Sequence, residues 1–335
     1  MVNNMSIIIN YSKIIYPQST VIKLTKAYQN IGKNELYLYN TKCEIDKIRE
    51  YTIKLDSYYL YKFSNSVVTD ARQRLIILKN SNPRTKDEYV LSNMKYILAS
   101  LFQKSELKLL DFDEILNITN HIFDDNTKFG VFLNRSTNSI IEKKSSYNNI
   151  VDVFKRVDNQ YDRLTLAILL FIDFHNLAPL TSHNDVIEIV LLYYMLLFSD
   201  VKSLYFSSFI KHLYHQREKF YSLVKETEKN WAEGLSNTTL LVDFILDLIN
   251  KNYEETQIVV KNRIEDLKNL KHDNIEITIK NFKSKFTKEN IRNYHPFVSD
   301  STINRALKKL RDENLIKPLT TGRSAYWVRV NKELI

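Results

Sequence analysis

The sequence predicts a mainly α-helical protein, with a small β-hairpin in its body and a C-terminal module of mixed α+β structure. Three observations carry this. Four glycines and five prolines in 335 residues are too few for a fold that needs many tight turns. Long stretches of the middle repeat apolar residues at helical spacing. Positive charge gathers at one end: from residue 274 to 335 thirteen lysines and arginines stand against six carboxylates, a local +7 out of a whole-chain +9, so the other 273 residues carry only +2. A basic block on a nearly neutral body marks a polyanion-binding module.

Four regions follow in order. Residues 1–110 form an N-terminal helical region; its stretch "NELYLYNTKCEIDKIREYTIKLDSYYLYKFS" is rich in Tyr and Leu with mixed periodicity, and reads as a cover for the body or as a dimer contact. Residues 111–250 form a helical core. "DFDEILNITNHIFD", "NNIVDVFKRV", "YDRLTLAILLFIDFHNL", "NDVIEIVLLYYMLLF", "SSFIKHLYHQREKFYSLVKETEKN" and "NTTLLVDFILDLIN" all show helical spacing or all-round apolarity. Between the first two, "KFGVFLNRSTNSII" alternates like a strand pair and contains a Gly. The longest apolar run, residues 186–198, contains Glu188 and falls short of a membrane span, so it is expected as a buried helix. Residues 251–273 place Ile258, Ile264, Leu267 and Leu270 among alternating charges, the pattern of a solvated connecting helix.

Composition excludes several classes. With 44% hydrophobic and 26% charged residues the chain is a folded protein. One cysteine, Cys43, permits no internal disulfide and fits a reducing cytosol. "MVNNMSIIINYSK" lacks the charged and apolar blocks of an export signal, so a cytoplasmic protein without membrane attachment is expected. No Cys/His cluster has zinc spacing, no Gly-rich phosphate loop occurs, and His212 with His215 lacks a recognisable ligand set, so neither metal nor cofactor is expected.

The C-terminal module, residues 274–335, opens on "NIEITI", which reads as a strand. Thr287 caps a short helix and Ser299 a second one, in which Ile303, Ala306, Leu307 and Leu310 make one apolar stripe. "ENLIKP" begins a strand, "TTGRS" turns and "AYWVRV" returns. "SDSTINRALKKLRDENLI" resembles the S-x-x-T-[IV]-x-R-x-L-x-x-L-x-x-x-G-L-[IV] pattern of many bacterial winged helix-turn-helix regulators. Asn314 stands where Gly is usual, and Asn tolerates the left-handed conformation such a helix end needs. The resemblance covers about the last 60 residues and implies binding of double-stranded DNA. Ser301, Thr302, Asn304, Arg305, Lys308 and Lys309 on the second helix and Arg323 in the hairpin are the candidate contacts.

From about Ser64 to Asn250 the order of elements resembles the Fic family of nucleotidyl transferases: helices, a short hairpin flap, more helices, then an apolar helix leading to the loop HPFxxGNGR and an immediate second helix. "NPRTKDEYVLSNMKYILASL" resembles the family's helix before the core, and Arg217 with Phe220 and Tyr221 its helix after the loop. The motif falls on "APLTSHNDV". Pro179 and Asn184 match it; Ala178 replaces the His that acts as general base, Leu180 the Phe, Ser182 the acidic metal-holding residue, His183 and Asp185 the glycines whose N–H groups wrap phosphate, and Val186 the phosphate-pairing Arg. His175 lies too early to stand in for the base. The family's inhibitory motif (Ser/Thr)-x-x-x-Glu-(Gly/Asn) has a counterpart in residues 66–71, with Asp70 for Glu and Ala71 for Gly. His295, Pro296 and Phe297 spell the start of the signature inside the basic module, but Asp300, Ser301, Thr302 and Ile303 stand in its remaining places, so this copy is a turn between helices with Phe297 as a core residue.

The sequence therefore points to a cytosolic DNA-binding transcriptional regulator, a homodimer, whose catalytically silent Fic-like body serves dimerisation or effector contacts. The alternatives are an active transferase with a non-standard loop and a plasmid or phage replication accessory protein.

Overall fold

In a computed structural model the described residues are 6–330, except 65–66, 104–105, 126, 129, 135–138, 266–272, 283–284, 297 and 321–324. They form helices α1 (Gln18–Ile31), α2 (Asn34–Thr41), α3 (Ile45–Tyr61), α4 (Asp70–Lys79), α5 (Lys86–Leu101) and α6 (Phe112–Phe123). The hairpin β1 (Val131–Asn134) and β2 (Ser139–Glu142) follows, then α7 (Lys143–Val157), α8 (Arg163–Leu177), α9 (Asn184–Phe198), α10 (Phe209–His215), α11 (Arg217–Thr227) and α12 (Thr239–Glu265). The C-terminal elements are α13 (Asp273–Asn281), α14 (Lys288–Tyr294), α15 (Asp300–Asp312), β3 (Ile316–Pro318) and β4 (Trp327–Arg329). The chain divides into two compact units, Met1–Val260 and Lys261–Ile335. None of these helices is long and apolar enough to cross a membrane among the described residues.

The larger unit is built around α8 and α9. Every side chain from Val186 to Leu197 is buried, as is every one from Leu164 to Phe174, so both helices lie inside with no polar face. At roughly 1.5–3 kcal/mol per large apolar side chain, this pair supplies much of the unit's cohesion. Asp162 starts α8 by accepting from the N–H groups of Leu164 and Thr165, and Asp111 with Glu114 forms a capping box on α6. Two buried carboxylates tie distant segments to this core. Asp56 on α3 accepts from the Tyr193 hydroxyl, the Ser208 hydroxyl and the Ile210 N–H. Asp173 on α8 accepts from Ser6, from the N–H groups of Ile7 and Ile8, and from the Trp231 indole. The hairpin expected from the 128–141 alternation forms with Val131 opposite Glu142 and Asn134 opposite Ser139. The segment expected as one helix at 207–230 breaks at Gln216 into α10 and α11.

In the smaller unit Ile275, Ile279, Phe286, Ile291, Ile303, Ala306, Leu307, Leu310, Ile316 and Trp327 make the core. Here the structure corrects the sequence reading: residues 274–279 belong to helix α13, and no strand starts the module there. Three β-branched isoleucines at every second position imitate a strand, yet Ile275 and Ile279 are 1% and 0% exposed while Ile277 between them is 42% exposed. Only the i, i+4 spacing of a helix buries the first and third and releases the second; packing overrides the local β-preference. The helix caps, the α15 stripe and the two strands are found as expected, while residues 321–324 of the expected turn lie outside the described residues. Thr287 and Ser299 cap α14 and α15, the expected apolar stripe of α15 is buried, and Asn314 is left-handed with φ 57°. β3 and β4 pair antiparallel, and Phe286 bridges to Trp327 to add a third short strand position.

Candidate functional site

Residues 178–183 join α8 to α9. Ala178 ends α8 with φ 41° and His183 opens α9 with φ 63°, two left-handed turns made without glycine. A Cβ in that conformation costs about 1–2 kcal/mol, so surrounding contacts must hold it. They do so in two ways. Asn184 folds back on the loop: its Oδ1 accepts from the Leu180 N–H at 3.0 Å and its Nδ2 donates to the Leu180 carbonyl at 2.7 Å. The chain just before β1 then fastens the outer edge, with Gly130 N–H donating to Pro179 O at 2.8 Å and Thr181 N–H to Lys128 O at 2.9 Å. Lys143, the first residue after the hairpin, sends its ammonium to Ala178 O at 2.9 Å. Space at Gly130 is tight, because a Cβ there would lie 3.0 Å from Lys143 Cδ and 3.3 Å from Pro179 O.

Beside this loop lies a cavity of about 390 Å³, lined by Ser64, Lys86, Asp87, Val90, Phe123, Asp125, His183, Asp185 and Val186. His183 stacks flat on Phe123, with ring centres 3.6 Å apart, and its Nε2 meets Asp125 Oδ2 at 2.8 Å. Asp125 also accepts from Thr127, whose hydroxyl lies 3.0 Å from that of Ser182. Burial works to raise the Asp125 carboxyl, and the bonds from Thr127 and His183 outweigh it and hold it below the usual carboxylate range. Three carboxylates thus face one ammonium and one imidazole across the cavity. Negative groups outnumber positive ones in this lining, and among the described residues that form it there is neither glycine nor arginine.

Of the sequence-predicted loop residues, His183, Asp185 and Val186 line the cavity, Asn184 and Leu180 brace the loop, Pro179 accepts from Gly130, Ser182 meets Thr127, and Ala178 carries no titratable group. His175 does not line the cavity; its Nδ1 is 2.7 Å from Glu188 Oε2 and its Nε2 3.7 Å from Glu228. Burial disfavours its imidazolium, but the two glutamates together hold His175 above its ordinary value. Of the inhibitory-motif counterpart, Asp70 and Ala71 open α4 while Ser66 lies outside the described residues. Sequence reasoning missed Phe123, Asp125, Gly130 and Lys143; only Gly130, one of four glycines, carried a signal that could have found it.

On α15 the Ser299 hydroxyl caps the Thr302 N–H and lies 2.8 Å from the hydroxyls of both Ser301 and Thr302. Asn304, Arg305 and Lys308 are exposed. Lys309 is exposed too, and it donates to both oxygens of the buried Glu276, at 2.8 and 3.0 Å. His295 meets the Thr278 hydroxyl at 2.7 Å and Pro296 lies in the turn after α14, whereas Phe297 and Arg323 lie outside the described residues. Among the described residues no group of three or more His, Cys, Asp or Glu side chains is placed to hold a metal ion.

No family model matches the chain, and no curated protein matches it in sequence. Among solved structures it is similar to the crystal structure of a Fic family protein from Desulfovibrio desulfuricans G20, at a TM-score of 0.55 and 10% sequence identity, over 96% of this chain and 99% of that one. At that identity the likeness speaks for the fold alone, and the fold, mainly helical with a small hairpin ahead of α8 and α9, is Fic-like.

Proposed function

We propose that the protein is a cytosolic DNA-binding regulator in which the Lys261–Ile335 unit acts as a winged helix-turn-helix and the Fic-like body is catalytically silent, serving dimerisation or effector contacts. The observation that carries this reading is the outward face of α15. Arg305 and Lys308 stand exposed on a helix whose opposite side is locked in the core, inside a segment of net charge +7. The order α13, the Phe286 bridge, α14, α15, β3 and β4 supports it, being the order of helices and strands in that module. A dimer would let two such helices read paired half-sites.

Silence of the body is supported by the loop. Ala178 offers no base, the left-handed His183 is tied to Asp125, and Asp185 adds negative charge where a polyphosphate would need N–H donors. The test is duplex binding by the full chain as salt is raised. With about six phosphate contacts, affinity falls by several orders of magnitude between about 50 and 200 mM salt; binding indifferent to salt, or none at low salt, contradicts the reading.

One observation favours a second reading, a transferase with a non-standard loop: His183 and Asp125 form a hydrogen-bonded pair on the wall of a cavity. Incubation with labelled ATP and Mg²⁺ decides. Self-labelling that vanishes on His183→Ala or Asn184→Ala supports the transferase; an unlabelled protein supports the silent body.

A further inference from the structure

α15 is held at both ends by charge. In its first turn Asp300 pairs with Arg292 of α14, which also reaches Glu289. In its last turn Lys309 is gripped through both oxygens of Glu276 on α13. The two pairs differ in setting. The Asp300 side chain is 69% exposed, whereas Glu276 is 7% exposed, so its carboxylate has lost most of its water and depends on Lys309.

Helix geometry says which way Lys309 points. At about 100° per residue, with the centre of the Ile303, Ala306, Leu307 and Leu310 stripe turned inward, Ser301, Arg305, Lys308 and Asp312 fall near the outward direction. Asn304 and Arg311 lie on one flank; Thr302 and Lys309 lie on the other. Glu276 of α13, which packs on α15, meets Lys309 on that second flank. If Lys309, whose own side chain is 51% exposed, swung out to a phosphate, the 7% exposed Glu276 side chain would lose both of these bonds without gaining water in their place. That costs more than an exposed ion pair with a phosphate returns.

We propose that Glu276 is a positioning residue for DNA binding: by retaining Lys309 it fixes the rotation of α15 that presents Asn304, Arg305 and Lys308, and Lys309 is a strut that does not touch the nucleic acid. This rests on the DNA-binding reading above. It divides the basic residues of α15 into two kinds that composition treats alike.

The experiment measures binding of the full chain to a labelled mixed-sequence duplex of about twenty base pairs across a salt series, with a thermal melt of every variant. Lys309→Met leaves the slope of log affinity against log salt unchanged, while Arg305→Met and Lys308→Met each flatten it by about 0.9, one phosphate contact apiece. A flattening of that size on Lys309→Met overturns the proposal. Charge reversal gives a second readout. Lys309→Glu alone weakens binding by about tenfold or more, and adding Glu276→Lys restores it to within about threefold, since a strut works with either polarity. Failure to restore in a double variant that melts like the parent also overturns it. Should the double variant melt early, the Lys309→Met slope decides alone. A parent chain that binds no duplex at any salt defeats the DNA-binding reading and this proposal together, a result distinct from binding with the wrong slope.

Discussion

Asn184 spans both backbone groups of Leu180, accepting from its N–H and donating to its carbonyl, and so closes the loop between two deeply buried helices. Replacing Asn184 by Ala leaves two partly buried main-chain groups unpaired, at about 1–3 kcal/mol in total. The expected result is a melting temperature lower by several degrees. A melt that superposes on the parent's would show that the loop holds its shape by other means.

The neighbouring strand entry is crowded. A Cβ at Gly130 meets the Pro179 carbonyl and the Lys143 stem, so Gly130→Ala is expected to cost about 1 kcal/mol and Gly130→Val about 1–3 kcal/mol. The Lys143 chain is flexible enough to move aside; the Pro179 carbonyl, pinned between two left-handed residues, is not. Denaturant titration of both variants checks the order, and a neutral Val substitution contradicts it.

The helical assignment of α13 is open to a direct test. Ile279→Ala removes a fully buried side chain and should cost about 2–5 kcal/mol, whereas Ile277→Ala, at a side chain 42% exposed, should cost about 1 kcal/mol or less. A strand with all three isoleucines on one face would make the two losses alike. Circular dichroism melts that resolve the C-terminal unit separate the outcomes.

Burial pushes the Asp56 carboxyl from its ordinary 3.8 up to about 7, against the hydrogen bonds of Ser208, Tyr193 and Ile210. The folded protein therefore holds this proton more tightly than the unfolded chain does. The contribution is fully present below about pH 4 and is lost as pH rises through about 7, by at most about 4 kcal/mol. Asp56→Asn removes the titration. The difference in stability between parent and variant should shift toward the variant as pH climbs from 5 to about 8; a difference independent of pH argues against it.

Much of this architecture was legible in the sequence, and the reasons are local. Thr287 and Ser299 announce helix starts because a cap acts within three residues, and the 128–141 alternation announces the hairpin because its partners are near neighbours in the chain. The acidic cavity was not legible. His183 meets Asp125 across 58 positions, and the loop is fastened by backbone groups of Lys128 and Gly130, whose identity the sequence does not encode as acceptors or donors. The error at 274–279 has the same origin. Period two and β-branching are properties of the segment, while the choice between strand and helix was made by which isoleucines α15 could cover.

Asp173 draws its four donors from Ser6, Ile7, Ile8 and Trp231, and the first three lie 165 to 167 positions upstream of it. During synthesis residues 6–8 therefore emerge long before their anchor does. Ile7 and Ile8, both buried in the finished protein, must wait unsheltered while most of the body is translated. Docking of that strap therefore has to wait until Asp173 has been made, and its anchor gains its last donor only with Trp231.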